Sequence, residues 1–400
     1  MKKWFKGSNL IRLGIINIII LLLLLCATEI VLRVLSQLSR QVKALCFYRY
    51  DGNQKFLRTR NTTELLKHAP FPLGPYTNYG WFLLNSRGFR TPEYQFSKTP
   101  GSTRIVFIGD SFCSDSGNVL YPNHFTVLLE QKIKSVFNKE IEVINLGYPA
   151  IGPRFEKKIL ELEGIWLNPD LVIWCFFVGN DFTDDELPIL REEKKTFKEY
   201  LFSHSYICRA IRNSHILLTH TQVVNIRKAE WKKGKRGGIY IGPPKEYDPD
   251  KPSCSREEFL KIQSGRMRMY VKETFPWDNL EAIKNIFLEV KSVCTRLKIN
   301  LLVVIIPDVN QIDRSLLTEI VKDKNWVNRD LQLELPQELL SDFFVESKIE
   351  YLDLLPMFRQ WGLKENLYGV NDTHWNNRGN FLAAEAIFAY LYPEVDQLEN

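Results

Sequence analysis

Five short apolar runs punctuate the chain, at residues 105–108, 141–144, 171–178, 301–306 and 349–352. They are rich in Ile, Val, Leu and Phe and lack the strict alternation of a strand with one wet face. Such runs are expected of parallel strands buried on both sides. Between them, apolar residues recur at helical spacing over roughly 122–137, 154–165, 278–297, 313–323, 334–346 and 377–392. Strands and helices in alternation predict an α/β protein, a three-layer α/β/α sandwich around a mostly parallel sheet. Residues 183–275 break the alternation. They are aromatic and basic, with a Gly/Pro-rich loop at Gly237–Pro252, and read as an insertion at the carboxyl edge of the sheet, placed like a lid.

A different pattern opens the chain. Leu13 to Ala27 is almost unbroken Ile and Leu, preceded by Lys2, Lys3, Lys6 and Arg12. A spanning helix needs roughly 20 residues, and Leu10, Ile11, Ile30, Val31 and Leu32 extend the run. Glu29 and Arg33 stand where they can snorkel at its far end. A signal peptide shares the basic start and short core. No A-x-A site follows, however, and Leu23-Leu24-Leu25-Cys26 lacks the small residues of a lipoprotein box. The reading is an uncleaved, single-pass transmembrane helix with its basic end in the cytoplasm. The expected organisation is a basic N-terminus at 1–9, an anchor at 10–33 and a linker at 34–100. An α/β domain at 101–395 follows, outside the cytoplasm (periplasmic or at the cell surface), with the insertion at about 183–275. Pro70, Pro72, Gly74, Pro75 and Gly80 argue against long elements in the linker. Asn85–Arg90, NSRGFR, reads as a surface turn, the alternative being a loop that frames the mouth of a site.

Composition narrows this picture only slightly. With 400 residues, 45% hydrophobic and 25% charged, the chain is globular and exceeds one small domain. A net charge of +6 is mild. Much of it lies at the N-terminus and in Arg227–Arg236, RKAEWKKGKR, which reads as a solvated loop; no nucleic acid is expected. Seven cysteines show no CxxC or Cys/His ligand spacing, so no metal is expected. Cys113 and Cys175 read as small core hydrophobes. A Cys208–Cys254 disulfide stays open for an extracytoplasmic domain. GxGxxG, GxxxxGK[ST] and HExxH are absent, and no cofactor is expected.

Candidate chemistry begins at Arg104–Asp115, RIVFIGDSFCSD, where the apolar run stops at Gly109 and Asp110 and Ser111 follow. A buried strand ending in Gly-Asp-Ser lifts a hydroxyl to the carboxyl edge, where open α/β sheets bind ligands. The plain alternative is a strand exit in which Asp110 or Ser111 caps the next helix. Three more polar stretches follow strands: Asn145-Leu146-Gly147, Gly179-Asn180-Asp181 and Asp372-Thr373-His374-Trp375. A serine hydroxyl is a weak nucleophile until a base takes its proton. Of the six histidines, His374 is the one with a carboxylate two residues before it and an Asn-rich helix start after it. Two residues of extended chain span roughly 7 Å with both side chains on one face. Asp372 can therefore reach Nδ1 and leave Nε2 for Ser111, the alternative being a helix-cap histidine. Gly147 either lets a substrate approach its amide closely or is a turn glycine, and Asn180 is alternatively a helix N-cap.

Serine, glycine, asparagine and histidine in this order resemble the SGNH (GDSL-like) hydrolase superfamily over about residues 100–392. The anchor ending ATEIVLRVL and the NSRGFR turn are similar to bacterial membrane-tethered members. The Asp-x-His-Trp form resembles the branch that includes the alginate O-acetylation proteins. The resemblance implies an SGNH-hydrolase/flavodoxin-like fold with Ser111 as nucleophile, His374 as base and Asp372 as acid. It also implies an oxyanion hole of the Ser111 N–H, the Gly147 N–H and the Asn180 amide. Two positions depart from the pattern. Many members carry the acid three residues before the histidine, which here is Asn371, and Phe112 replaces a common leucine.

The function expected on these grounds is a membrane-anchored serine esterase acting on O-acetyl or other carboxylic esters of a surface glycan or lipid. One alternative is an O-acetyltransferase that modifies a cell-envelope polysaccharide and draws on an acyl-donor membrane protein. The other is a non-catalytic glycan-binding or scaffold protein. In that case Phe197, Tyr200, Phe202, Tyr206, Trp231 and Tyr240 would stack on sugars instead of building a small core.

Overall fold

A computed structural model describes residues 4–38, 65–66, 69, 73, 78–79, 81–114, 119–137, 140–184, 205, 207–208, 237–243, 247–322 and 325–397. The chain forms two compact units, one of residues 1–58 with 191–225, the other of 59–190 with 226–400.

In the first unit, helix α1 runs from Trp4 to Leu38. Its segment Ile16–Leu35 has a mean hydropathy of 2.7 and is long and apolar enough to cross a membrane. Membrane anchors and signal sequences both have this form. Glu29 accepts hydrogen bonds from Ser205 Oγ at 3.1 Å and Ile207 N at 3.0 Å, and pairs with Arg33 at 3.0 Å. The insertion's aromatics Phe197, Tyr200, Phe202, Tyr206 and Trp231 lie outside the described residues.

The second unit is an α/β sandwich. Its sheet contains β3 (Thr103–Ile108), β4 (Ile141–Asn145), β5 (Leu171–Phe177), β7 (Asn300–Ile306) and β8 (Glu350–Asp353), in the order β4-β3-β5-β7-β8. Every pairing is parallel, with Phe107 opposite Asn145, Ile108 opposite Trp174, Trp174 opposite Val303 and Val304 opposite Leu352. A small antiparallel sheet joins β1 (Asn78–Tyr79), β2 (Phe82–Leu83) and β6 (Ile239–Tyr240), with Tyr240 opposite Phe82. The five predicted strands are all present. They are continuous apolar runs because both faces are covered.

Helices α3 (Phe125–Phe137), α9 (Leu355–Gly362) and α10 (Asn377–Gln397) pack on one side, where Phe107 meets Phe125 edge-on and Phe137 meets Phe388. Helices α4 (Pro153–Leu162), α6 (Trp277–Leu297) and α8 (Leu335–Ser347) cover the other, where Phe287 packs on both Trp174 and Phe344. Helix α2 (Ser111–Ser114) follows β3, while α5 (Arg256–Arg266) and α7 (Arg314–Ile320) complete the unit. The sequence pattern misses α5 and α9 for a physical reason. Helix α5, REEFLKIQSGR, buries just Phe259 and Gln263, so it has no apolar stripe to detect. Helix α9 has eight residues, too few for a sustained period.

Two buried polar features brace the sandwich. The NSRGFR turn is buried, contrary to its reading as a surface turn, and its two arginines are the reason. Arg87 pairs with the buried Glu163, which also accepts from Tyr94 Oη at 2.8 Å. Arg90 donates to the Val119 carbonyl at 3.1 Å and stacks over Tyr121. Arg104, 1% exposed within β3, pairs with Glu142 on β4 and donates to the carbonyls of Phe96 and Leu167 at 3.1 and 2.5 Å. Truncating it to an apolar side chain leaves buried carbonyls without their donor. Arg104→Met is therefore expected to cost about 3 kcal/mol, read as a lower urea midpoint of the detergent-solubilised chain at unchanged slope.

Candidate active site

Strand β3 lies inside the sheet, with β4 on one side and β5 on the other. Successive connections therefore lead to opposite sides of it, the position at which open α/β sheets place a ligand crevice. Gly109 ends the strand at φ 156°, and a Cβ there would meet both Cys113 and Cys175 at about van der Waals overlap, 3.0 and 2.9 Å. Asp110 Oδ1 accepts the Phe112 N–H at 2.9 Å, which turns the chain into α2. Ser111, half-buried, is the first residue of that helix.

His374 reaches Ser111 from the far end of the chain. Its Nε2 lies 2.8 Å from Ser111 Oγ, and its Nδ1 lies 2.7 Å from Asp372 Oδ1. The same Asp372 oxygen accepts the His374 backbone N–H at 2.9 Å, while Oδ2 accepts from Ser253 Oγ at 2.5 Å. Burial pulls the Asp372 carboxyl upward, but the hydrogen bonds and charge of His374, with the Ser253 hydroxyl, leave it below its ordinary value. Asp372, not Asn371, is thus the carboxylate against the imidazole. Asn371 stands at φ 46° and turns its amide away, onto the Cys254 carbonyl at 3.2 Å.

Phe112 wedges beneath the histidine. Its ring centre lies 5.1 Å from His374, 5.0 Å from Trp375 and 4.4 Å from Phe177. The departure from leucine therefore supplies an aromatic floor. His124, the nearest rival base in sequence, is buried, donates from Nε2 to the Phe112 carbonyl at 3.3 Å, and is lowered by burial to about 3. It is neutral and supports α2.

The two remaining candidate oxyanion donors are engaged within the chain. Gly147 N–H donates to Asn145 Oδ1 at 2.8 Å, and Asn180 Nδ2 donates to Asp184 Oδ2 at 2.7 Å. Asn145 is itself locked to α2, donating from Nδ2 to the Cys113 carbonyl at 2.6 Å. A Cβ on Gly147 would fall 2.5 Å from Cys113 Cβ and 2.7 Å from Ser114 N, so the glycine is needed for close approach of α2 rather than as a bare turn. Cys113 and Cys175 are buried thiols, as their apolar surroundings in sequence suggest, and Cys208 and Cys254 belong to different units.

The segment after β6 supplies residues that motif reasoning misses. Gln263 Nε2 and Arg266 Nη1 on α5 donate to Thr373 Oγ1 at 3.0 and 2.7 Å. Arg266 also lies over the Phe177 ring and 3.8 Å from Asp308. More than a hundred residues separate these partners from the loop they hold, and no local signal links them.

No protein-family model matches the chain, and no curated protein matches it. Among solved structures, an acetyl xylan esterase is similar over 72% of this chain and 99% of its own, at 11% identity and a TM-score of 0.39. A lipase/acylhydrolase from Enterococcus faecalis is similar over 73% and 96%, at 12% identity and a TM-score of 0.35. An acetylxylan esterase from Geobacillus stearothermophilus is similar over 73% and 95%, at 11% identity and a TM-score of 0.38. These likenesses are weak in sequence and in superposition, so the chemistry has to stand on the chain's own atoms.

Two variants test the local geometry. Gly147→Ala should destabilise the fold by about 1–3 kcal/mol through the clash with α2, measured by urea unfolding. Asp110 is pushed by burial from 3.8 up to about 6, against the pull of the Phe112 N–H and His374. Between about pH 4 and pH 6 the folded chain then keeps a proton that the unfolded chain has lost, so this group's stability contribution falls as pH rises. Asp110→Asn retains the acceptor for Phe112 without the charge. Its unfolding free energy should gain on the wild type by about 1–3 kcal/mol from about pH 4 to about pH 7, whereas a constant gap would mean an ordinary carboxyl.

Proposed function

We propose that the chain is a serine esterase of the SGNH type, anchored by α1, that cleaves O-acetyl esters of a cell-surface glycan. The observation that carries the chemistry is the unbroken line Ser111 Oγ to His374 Nε2 at 2.8 Å and His374 Nδ1 to Asp372 Oδ1 at 2.7 Å. Three groups in this order make a nucleophile, its base and the anion that orients the base. The glycan, the acetyl group and the extracytoplasmic placement rest on the motif resemblance and the apolar N-terminal helix.

In this reading Ser111 Oγ attacks the ester carbonyl carbon as its proton passes to His374 Nε2. The imidazolium that forms is stabilised by Asp372, whose carboxylate stays ionised. His374 then returns the proton to the alcohol oxygen of the sugar as the C–O bond breaks, leaving an acyl-Ser111. Water attacks that ester next, giving one proton to His374. Collapse releases the carboxylic acid, and the proton returns to Ser111. Negative charge on the tetrahedral oxygen needs donors already in place. Ser111 N–H is one, because the first N–H groups of a helix lack intrahelical acceptors. Asn180 offers the second hydrogen of its amide. Gly147 N–H joins them if it exchanges Asn145 for the oxyanion.

A transferase would use the same acyl-enzyme with a sugar hydroxyl in place of water. The Asp-Thr-His-Trp form and the anchor favour keeping this as the second reading. Partition of a labelled acetyl group between water and added polysaccharide separates the two.

The full chain in detergent is expected to hydrolyse p-nitrophenyl acetate, and Ser111→Ala and His374→Ala should each lower kcat by about 1000-fold or more. A fluorophosphonate should label the wild type and not Ser111→Ala. Native turnover or labelling in Ser111→Ala would sink the proposal.

A further inference from the structure

We propose that Ser253 is a positioning residue for the acid–base pair, its hydroxyl fixing Asp372 so that Oδ1 faces the imidazole. This inference rests on the serine-esterase reading of Ser111 and His374. A carboxylate held through one oxygen can still turn about its Cβ–Cγ bond. Asp372 Oδ1 receives both His374 donors, at 2.7 Å from the ring and 2.9 Å from the backbone. Ser253 Oγ binds the opposite oxygen, Oδ2, at 2.5 Å. Donors on both oxygens set the carboxylate plane, and with it the direction of the Nδ1 hydrogen bond. Because Asp372 is held ionised it accepts, so the Ser253 hydroxyl donates. A hydroxyl bond to an anion inside a side chain just 8% exposed is of the charge-assisted kind.

Ser253 is itself held against the acid–base loop by a strap of main-chain and side-chain bonds. Its N–H donates to the Val370 carbonyl at 3.1 Å, and the Cys254 thiol donates to the Asn371 carbonyl at 3.3 Å. In return, Asn371 Nδ2 donates to the Cys254 carbonyl at 3.2 Å. Ser255 then caps α5, accepting the Glu258 N–H at 3.2 Å. The helix that begins there carries Gln263 and Arg266 to Thr373, between the acid and the base. The hydroxyl therefore stands on a fixed element rather than on a side chain free to swing.

Removing the hydroxyl has two consequences beyond a lost contact. The carboxylate gains rotational freedom, so fewer molecules present Oδ1 to Nδ1. Asp372 also loses a donor that drained its charge, so it draws the imidazole proton more strongly and the base stays protonated to higher pH. The readout is the second-order rate at which a fluorophosphonate labels Ser111 in the full chain in detergent, followed from about pH 4 to about pH 9. Ser253→Ala should label about tenfold more slowly at neutral pH, with its acid limb displaced upward. Ser253→Thr, which keeps the hydroxyl, should restore both the rate and the limb.

Wild-type labelling with an unchanged rate and limb in Ser253→Ala overturns this inference alone. So does a slower Ser253→Ala whose acid limb stays in place and which Ser253→Thr does not rescue, because that pattern belongs to a merely structural residue. If Ser253→Ala does not fold, Ser253→Thr decides: a wild-type rate and limb support the role, and a loss of either overturns it. No labelling of Ser111 in the wild type overturns the esterase reading, and the role of Ser253 falls with it.

Discussion

The bond between Ser111 and His374 joins residues 263 apart in sequence, and the placement of several elements converges on it. Ser111 stands where β3 ends, at the switch in strand order. His374 stands just before α10, which shares a face of the sheet with α3. The register of these two helices fixes where the imidazole lies. Asn380 Oδ1 on α10 accepts the Phe125 N–H at 3.0 Å, and Asn123 Nδ2 donates to Asn377 Oδ1 at 3.3 Å. Between the helices Trp375 fills an aromatic cluster, 5.8 Å from Phe125 and 5.1 Å from Phe358. A slip of α10 by one turn would move His374 by about 5 Å, so core packing and site geometry are the same constraint.

Electrostatics divides the acids around that bond into two kinds. Asp110, Asp181 and Asp308 are fully buried, and burial raises all three above the ordinary carboxylate range. Each does turn work. Asp110 takes the Phe112 N–H, Asp181 takes the Phe177 N–H at 2.7 Å, and Asp308 forms a capping box with Gln311 and accepts from Tyr270 Oη at 3.1 Å. Asp372 is buried too, yet it lies below the ordinary range because its neighbours supply hydrogens to both oxygens. Of these four acids Asp372 is the one whose carboxyl is drawn below its ordinary value.

Much of this architecture is legible in the sequence because burial leaves a periodic trace. Strands covered on both faces read as continuous apolar runs, and the helices that cover them show stripes. Ser111, His374 and Asp372 are legible because each follows a strand or precedes a helix in a short polar cluster. What sequence does not reveal is held by pairs distant along the chain. The NSRGFR turn looks like a surface loop until Glu163 is brought to Arg87. Ser253 looks like one more serine before a polar helix, and nothing local ties it to Asp372, 119 residues away. Helix α5 hides for a related reason: it works through polar side chains, Gln263 and Arg266, rather than through an apolar face.

The engagement of Gly147 and Asn180 sharpens what an oxyanion hole here would consist of. Asn145 holds three bonds at once, from Gly147 N–H and Cys113 Sγ to its oxygen, and from its amide to the Cys113 carbonyl. Drawing the Gly147 N–H away would loosen the lock between β4 and α2, the helix that begins with Ser111. Asn180 is less constrained, since its amide has a second hydrogen after donating to Asp184. Burial raises the Asp184 carboxyl, against the pull of that same amide and of Arg266. Under the proposed function, Ser111 and Asn180 would carry the oxyanion in this geometry, and Gly147 would join them only by giving up Asn145.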